Sequence, residues 1–187
     1  MRHLERALSE LIRDVPDFPE PGVLFKDITP MLADHDGFAE VIDALAEAGR
    51  DPDSGAPVVD KVVGMEARGF ILAAPVALTL GAGFVPVRKA GKLPGPTHAR
   101  SYDLEYGQAT LEVHQDALRH GERVLLIDDV LATGGTAAAT RALVEECGAR
   151  VHAFAVLMEL TFLPGRATLG DLPLHVLKQV PRDRPHG

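Results

Sequence analysis

Apolar residues near the start of the chain recur at helical spacing. The repeating positions are Leu4, Leu8, Leu11 and Ile12. This spacing predicts an amphipathic helix over residues 3–13, and a similar pattern predicts a second helix over residues 37–48. Between them, residues 14–22 contain three prolines and a glycine, so this segment is predicted to be irregular.

Two strand–helix–strand units follow in the apolar pattern. The first has a predicted strand over 58–63, a loop over 64–69, a helix from about 70 to 80 and a strand over 84–87. The second has a strand over 123–127, a loop over 130–136, a helix over 137–147 and a strand over 151–157. Pro75 is predicted to kink or shorten the first helix, whereas Gly81 and Gly148 are expected to end the two helices. Continuous apolar strands that alternate with helices predict an α/β fold with a central, mostly parallel sheet flanked by helices.

The segment between the two units has a different character. Residues 90–108 are rich in glycine, proline and polar residues, and residues 109–114 then alternate between apolar and polar. A loop of this length in a compact domain is either disordered or functional, often as a lid over a site, so 90–108 is predicted to be one or the other. The length favours one domain over 1–187, with a flexible tail at 181–187.

Composition narrows the possible functions. The net charge of −8 argues against general binding to nucleic acid, because few phosphates could be neutralised. The single cysteine, Cys147, fits a reducing compartment. No apolar run has the length of a membrane span and the N-terminus lacks a signal-peptide pattern. A cytoplasmic protein without membrane partners is therefore expected.

The second unit contains a candidate phosphate site. Its first strand ends in Asp128 and Asp129, and the loop that follows includes Ala132, Thr133, Gly134, Gly135 and Thr136. Backbone N–H groups of such a loop, at the start of a helix, can bind one phosphate group. The carboxylates lie farther back, where they could accept hydrogen bonds from ribose hydroxyls or hold Mg²⁺ through water. A plain glycine turn is the alternative interpretation. The lysine of a Walker loop and the glycine pattern of a dinucleotide-binding loop are both missing.

A second set of residues could bind an anion. Ala67 and Arg68 lie in the loop after the first strand, and Arg88, Lys89 and Lys92 follow the next strand. A loop at the start of a helix favours anions. Three cations within five residues of an acidic protein could form a solvated turn, but their place after a buried strand favours a function.

At residues 124–136 the sequence resembles the type I phosphoribosyltransferase family. The shared signature is an apolar strand, two acidic residues and a Thr-Gly-Gly-Thr loop that holds the 5-phosphate of phosphoribosyl diphosphate. The resemblance implies the fold of that family, with a small N-terminal hood over residues 1–35, a core over 36–180 and a mobile loop. It also implies that the diphosphate contacts Ala67, Arg68, Arg88, Lys89, Lys92 and Tyr106. The loop cations would come from the same chain or from a neighbouring subunit of a homodimer, and Mg²⁺ would bridge substrate oxygens rather than bind in a protein cage.

The resemblance also suggests which nucleobase accepts the ribose phosphate. Residues 21–30 are similar to the base-binding hood of family members that use adenine, and residues 88–107 to their mobile loop. The resemblance implies adenine contacts from Leu24, Phe25, Lys26 and Leu160, and proton exchange between Glu105 and N7 of the purine. The expected reaction converts adenine and phosphoribosyl diphosphate to AMP and diphosphate. A transferase for a 6-oxopurine and a non-catalytic regulator that binds the same ligands are the alternatives.

Overall fold

The computed structural model describes residues 2–103 and 107–182. The chain divides into two compact units, Met1–Ala44 and Leu45–Gly187. The predicted subdivision into a hood over 1–35, a core over 36–180 and a flexible tail stays a prediction.

The first unit contains helices around a short strand pair. Its elements are α1 Arg2–Glu10, β1 Arg13–Pro16, β2 Leu24–Asp27, α2 Thr29–Ala33 and most of α3 His35–Ala46. The predicted helix over 3–13 ends early, and the segment predicted to be irregular contributes a strand, because β1 pairs antiparallel with β2. Pro16 is tolerated at the end of an edge strand, where its missing N–H costs no ladder hydrogen bond.

The second unit is built on a seven-stranded sheet. Its strands are β3 Lys61–Met65, β4 Gly83–Lys89, β5 Thr97–Asp103, β6 Gln108–His114, β7 Arg123–Leu131, β8 Arg150–Leu160 and β9 Leu174–Val180. The strand order is β5-β6-β4-β3-β7-β8-β9. The five strands from β4 to β9 in this order run parallel, whereas β6 is antiparallel to both of its neighbours. The predicted fold class, a central mostly parallel sheet flanked by helices, is confirmed.

Burial explains why the central strands form. Residues 124–127 of β7 and 154–158 of β8 are fully buried or nearly so, as expected for strands covered on both faces. The helices of this unit are α4 Arg68–Leu80, α5 Gly135–Glu146 and the short α6 Gly165–Leu169. Pro75 does not shorten α4, which continues to Leu80 and buries Leu72, Val76 and Leu80. Gly81, with φ 65°, ends α4 as predicted.

Three differences from the sequence-based prediction affect the site. Strand β7 continues through the two aspartates to Leu131, because residues 128–131 still pair with β8. Strand β5 lies inside the predicted loop over 90–108, because all seven of its residues pair with β6. The short helix α6 and strand β9 had no prediction. Among the described residues, no helix is long and apolar enough to cross a membrane.

Candidate active site

The predicted phosphate-binding residues surround one small cavity at the carboxyl end of β7. The cavity has a volume of about 70 Å³. It is lined by Asp128, Val130, Leu131, Ala132, Thr133, Gly134, Thr136, Ala137 and Phe154. Gly135 is the first residue of α5, so the helix N-terminus with its unpaired N–H groups belongs to this site. Loop, helix start and cavity together form a place for one small anion.

Two glycines allow the loop to approach α6 closely. Gly134 has φ 85°, and a Cβ added there would lie 2.8 Å from the carbonyl oxygen of Gly165. A Cβ on Gly165 would lie 2.3 Å from the carbonyl oxygen of Ala132. In addition, the Thr168 hydroxyl donates to the Thr133 carbonyl at 2.8 Å. The short helix therefore supports the loop from behind, an arrangement that the sequence did not indicate.

Strand β5 contacts the same loop from another side. The Tyr102 hydroxyl and the Thr136 hydroxyl are 3.0 Å apart and share a hydrogen bond. A Cβ on Gly135 would lie 2.9 Å from Tyr102 Cδ2, so the aromatic ring packs directly on the start of α5. This contact connects the segment predicted to be a lid with the candidate phosphate site.

The two aspartates have different surroundings. Asp128 lines the cavity, and its Oδ1 accepts the backbone N–H of Asp129 at 2.9 Å. Burial of the Asp128 carboxyl group, together with the nearby charge of Asp129, raises the pKa of Asp128 well above its usual value. Asp129 is 6% exposed, and its Oδ2 lies 2.8 Å from Arg68 Nε. One carboxylate thus meets the cavity while the other forms an ion pair.

Three of the predicted diphosphate residues, Arg88, Lys89 and Lys92, contact a carboxylate that had no predicted role. Ala67 precedes α4, and the Glu66–Ala67 peptide bond is cis. The Glu66 carboxylate lies 2.5 Å from Lys92 Nζ and 3.4 Å from Arg88 Nε, and it accepts the backbone N–H of Lys89 at 2.9 Å. Burial on its own would raise the pKa of Glu66. The hydrogen bonds from Lys92 and Lys89 and the positive charges outweigh burial, so the pKa lies below its usual value.

The sheet register explains this cluster. Met65 and Val87 are partners on the parallel strands β3 and β4. Glu66, the residue after β3, therefore lies at the same level as Arg88, which is still part of β4. The Glu66 N–H also donates to the Val87 carbonyl at 3.0 Å. The strand–helix–strand spacing predicts that these two strands are parallel neighbours, and the register of the pair then brings Glu66 beside Arg88, which the spacing alone does not predict.

The predicted adenine residues lie in different units. Leu24, Phe25 and Lys26 form most of β2 in the first unit, where the ring centroids of Phe25 and Phe18 are 5.1 Å apart in an edge-to-face arrangement. Lys26 Nζ donates to Asp14 at 2.7 Å. In the second unit, Leu160 ends β8. Glu105 and Tyr106 lie outside the described residues.

An ion pair between a buried carboxylate and an exposed arginine lies beside Leu160. Glu159 is 4% exposed, and its two carboxylate oxygens accept Arg166 Nε at 2.9 Å and Nη2 at 2.7 Å. This bidentate geometry is the strongest form of the Arg–carboxylate pair. Because Arg166 belongs to α6, the pair connects the end of β8 with the helix that supports the phosphate loop.

Chemically, the second unit offers two candidate anion sites that differ in the groups they present. One provides backbone N–H groups, hydroxyls and a helix N-terminus, which suit a single phosphate group. The other provides guanidinium and ammonium groups, which suit a more highly charged anion. Within the described residues, no group of three or more His, Cys, Asp or Glu side chains is placed to hold a metal ion.

Comparison with known proteins agrees with this arrangement. A family model described as "Phosphoribosyl transferase domain" matches residues 29–164, and the chain belongs to this family. It is 71% identical to an adenine phosphoribosyltransferase of Nocardioides sp. over 177 residues, which cover 95% of each chain.

Solved structures lead to the same group of enzymes. The crystal structure of adenine phosphoribosyltransferase from Rhodothermus marinus matches with a TM-score of 0.87 and 52% identity, over 96% of this chain and 99% of that one. The Saccharomyces cerevisiae enzyme, crystallised with an imino-altritol bisphosphate and adenine, matches with a TM-score of 0.86 and 40% identity, over 95% and 100% of the two chains.

Proposed function

We propose that this chain transfers the 5-phosphoribosyl group of phosphoribosyl diphosphate to adenine, giving AMP and diphosphate in purine salvage. The observation that carries the proposal is the pair of anion sites at neighbouring strand ends of one sheet, in a chain whose relatives are adenine phosphoribosyltransferases. A donor with a phosphate at one end and a diphosphate at the other requires two such sites.

The residues at the two sites take separate roles. The loop over 132–136 and the N-terminus of α5 bind the 5-phosphate. Asp128, which lines the cavity, accepts hydrogen bonds from ribose hydroxyls. Asp129 is assigned the same role, and it also forms an ion pair with Arg68. Ala67 and Arg68 contact the diphosphate from the start of α4. Arg88, Lys89 and Lys92 contribute further positive charge, and Tyr106 is assigned to the same group.

Mg²⁺ is proposed as the cofactor. It is a hard cation that takes oxygen ligands and retains several waters, so substrate oxygens are suited to complete its coordination. The Asp128 carboxylate beside the ribose position supplies an oxygen that could bind such an ion through water. When bound, Mg²⁺ neutralises charge that builds up on the leaving diphosphate.

The adenine is proposed to stack on Phe25 and to contact Leu24, Lys26 and Leu160. Glu105 is proposed to exchange a proton with N7 of the purine, which stabilises the base as the bond to ribose forms or breaks. Replacing Glu105 by Gln removes this exchange, so kcat for AMP synthesis is expected to fall about 100-fold or more. Steady-state kinetics at saturating substrates measure the effect. An unchanged kcat would remove Glu105 from the acid–base role.

Assembly and location complete the proposal. A homodimer is proposed from the resemblance to the family, and cytoplasmic location is proposed from the composition, with its single cysteine. Sedimentation equilibrium of the purified chain tests the oligomeric state. A monomer at micromolar concentration would contradict the proposed dimer.

The central experiment measures diphosphate release with adenine, hypoxanthine, guanine and orotate in parallel, each with phosphoribosyl diphosphate and Mg²⁺. Turnover is expected with adenine and at least about 100-fold less with the other bases. Preference for hypoxanthine or guanine would identify a 6-oxopurine transferase instead. Binding of phosphoribosyl diphosphate without turnover of any base would indicate a regulator.

A further inference from the structure

We propose that Glu66 is a positioning residue for the diphosphate: it assembles the cations of the segment 88–92 before the ligand binds. The proposal rests on the function proposed above, which assigns these cations to the diphosphate. Glu66 itself carries a negative charge and is not expected to contact the diphosphate. It acts through Arg88, the backbone of Lys89 and Lys92.

The first support is the number and kind of donors on one carboxylate. Glu66 Oε1 receives Lys92 Nζ at 2.5 Å, and Oε2 receives the Lys89 N–H at 2.9 Å and lies 3.4 Å from Arg88 Nε. These donors come from the end of β4 and the turn that follows it. A single side chain thus holds both the backbone and the cations of this turn.

The second support is the difference in solvent exposure between the Glu66 carboxylate and the two cations that it pairs with. The Glu66 side chain is 8% exposed, whereas Arg88 is 36% and Lys92 is 47% exposed. The carboxylate therefore lies below the cations. The low pKa of Glu66 keeps it ionised at neutral pH, so the two ion pairs persist under ordinary assay conditions.

The third support is that Glu66 leaves donors available. A guanidinium group has five N–H donors and an ammonium group has three. Glu66 takes one from each, and Arg88 Nη1 also donates to the Lys92 carbonyl at 3.3 Å. The remaining donors can serve a diphosphate. Long cationic side chains lose rotamer freedom when they bind a ligand, and a carboxylate that already restrains them lowers that cost.

The test compares two glutamates that contact the same turn. Glu112 on β6 accepts the Gly91 N–H at 3.0 Å, so Glu112→Gln removes one negative charge close to the turn without removing an ion pair of Arg88 or Lys92. Glu66→Gln removes the same charge from the cluster itself and preserves the shape of the side chain. Calorimetric titration of the full chain with Mg²⁺–diphosphate and, separately, with AMP measures both variants.

Glu66→Gln is expected to weaken diphosphate binding about tenfold and to leave AMP binding within about twofold, because AMP does not use the cation cluster. Glu112→Gln is expected to leave both affinities within about twofold. A selective loss of less than about threefold in Glu66→Gln, tighter diphosphate binding, or an equal loss of AMP binding overturns the proposal. These titrations need no turnover, so they stand apart from the adenine assay that tests the proposed function.

Discussion

The two candidate anion sites of this chain differ in whether backbone groups or side chains would contact the ligand. The loop proposed to bind phosphate is surrounded by α6, β5 and the start of α5, and it offers N–H groups and hydroxyls. The diphosphate side consists of long charged side chains, and each ion pair there includes a buried carboxylate, Asp129 or Glu66. The first site depends on steric fit, whereas the second depends on charge.

This difference suits the two ends of the donor. The 5-phosphate stays on the product, so a rigid site can hold it before and after the reaction. The diphosphate must bind, separate from the ribose and leave. Partly exposed cations that stay paired with Glu66 and Asp129 can do this, because the carboxylates balance the positive charge when no ligand is bound.

The largest effect is expected from Gly134→Ala, which tests steric fit. The new Cβ would meet the Gly165 carbonyl at 2.8 Å, at a residue with φ 85°. Unfolding free energy is expected to fall by about 3 kcal/mol, and AMP affinity by about 100-fold. Thermal denaturation and AMP titration measure the two quantities.

Gly121→Ala is the matched control. Gly121 has the same φ of 85°, but a Cβ there meets nothing within 4 Å. Only the backbone strain of about 1 kcal/mol is expected, with AMP affinity unchanged. Equal effects of the two substitutions would mean that contact with α6 does not shape the loop.

A smaller effect is expected from Arg68→Ala, which tests charge balance on the diphosphate side. The substitution leaves Asp129, 6% exposed, without its ion pair. Because Arg68 is partly exposed, we expect a loss of about 2 kcal/mol in unfolding free energy, together with weaker diphosphate binding. Urea denaturation and diphosphate titration measure these effects.

The double variant Arg68→Ala with Asp129→Asn separates the effect on stability from the effect on diphosphate binding. It should recover part of the stability, since the unpaired charge is gone, but none of the diphosphate affinity. Arg141→Ala, which breaks surface pairs with Glu145 and Asp171, serves as the control with about 0–1 kcal/mol. If the double variant were no more stable than Arg68→Ala, the proposal that Arg68 stabilises the fold by balancing the charge of Asp129 would be wrong.

A third prediction concerns Asp128, the carboxylate at the phosphate site. Its pKa is raised by burial and by the charge of Asp129, so its ionisation costs stability as pH rises above the unfolded value of about 4. Asp128→Asn is expected to raise stability by about 1 kcal/mol near pH 7, or about 2–4 °C in Tm, and to weaken phosphoribosyl diphosphate binding.

The pH dependence provides the check. Below about pH 4 both forms are neutral, so the gain in Tm should disappear there. The exposed Asp116 gives a control, because Asp116→Asn should not produce a gain that depends on pH in this way. A variant that is less stable than the wild type at pH 7 contradicts the prediction.

The smallest effect is expected from Tyr102→Phe, which removes the hydroxyl 3.0 Å from Thr136 and retains the ring. If Tyr102 donates to Thr136, the Thr136 proton can point toward the phosphate. AMP affinity is then expected to fall about 2–10-fold, with diphosphate affinity unchanged. Ser101→Ala, which breaks a hydroxyl pair with Thr110 on the same hairpin, should change neither affinity. Loss of diphosphate affinity in Tyr102→Phe would show that the two sites are not independent.

The proximity of the residues proposed to bind phosphate was predictable because its signal is local, whereas their role in binding stays a prediction. The strand, the aspartates, the glycines and the helix start are consecutive in the sequence, and the structure brings five of the seven predicted residues to one cavity. Tyr102, Gly165 and Thr168 were not found, because their contacts connect segments that are distant in sequence. Strand β5 was missed for a similar reason: its residues lack alternation, and pairing with β6 produces the strand.

The diphosphate side was predicted only in part. The cations were visible as a cluster in an acidic chain, but Glu66 acquires its role from the pairing of β3 with β4. The spacing of the unit predicts that these strands are parallel neighbours, but without their register the sequence does not identify which carboxylate lies below which cation. The base-binding segment 24–26 and Glu105 were proposed from the family resemblance, and those assignments stay predictions.

At Gly134 and at Gly165 a side chain would meet a backbone carbonyl oxygen of the facing segment, which has a consequence for protein engineering. If the loop over 132–136 were copied alone into another α/β domain, it would lack the helix α6 against which it packs. The transferable module is the loop together with Pro164 to Leu169, with glycine kept at both contact positions. Likewise, in a library that varies residues 132–136, few folded variants are expected to carry a substitution at position 134. More are expected when α6, the helix that faces the loop, is varied at the same time.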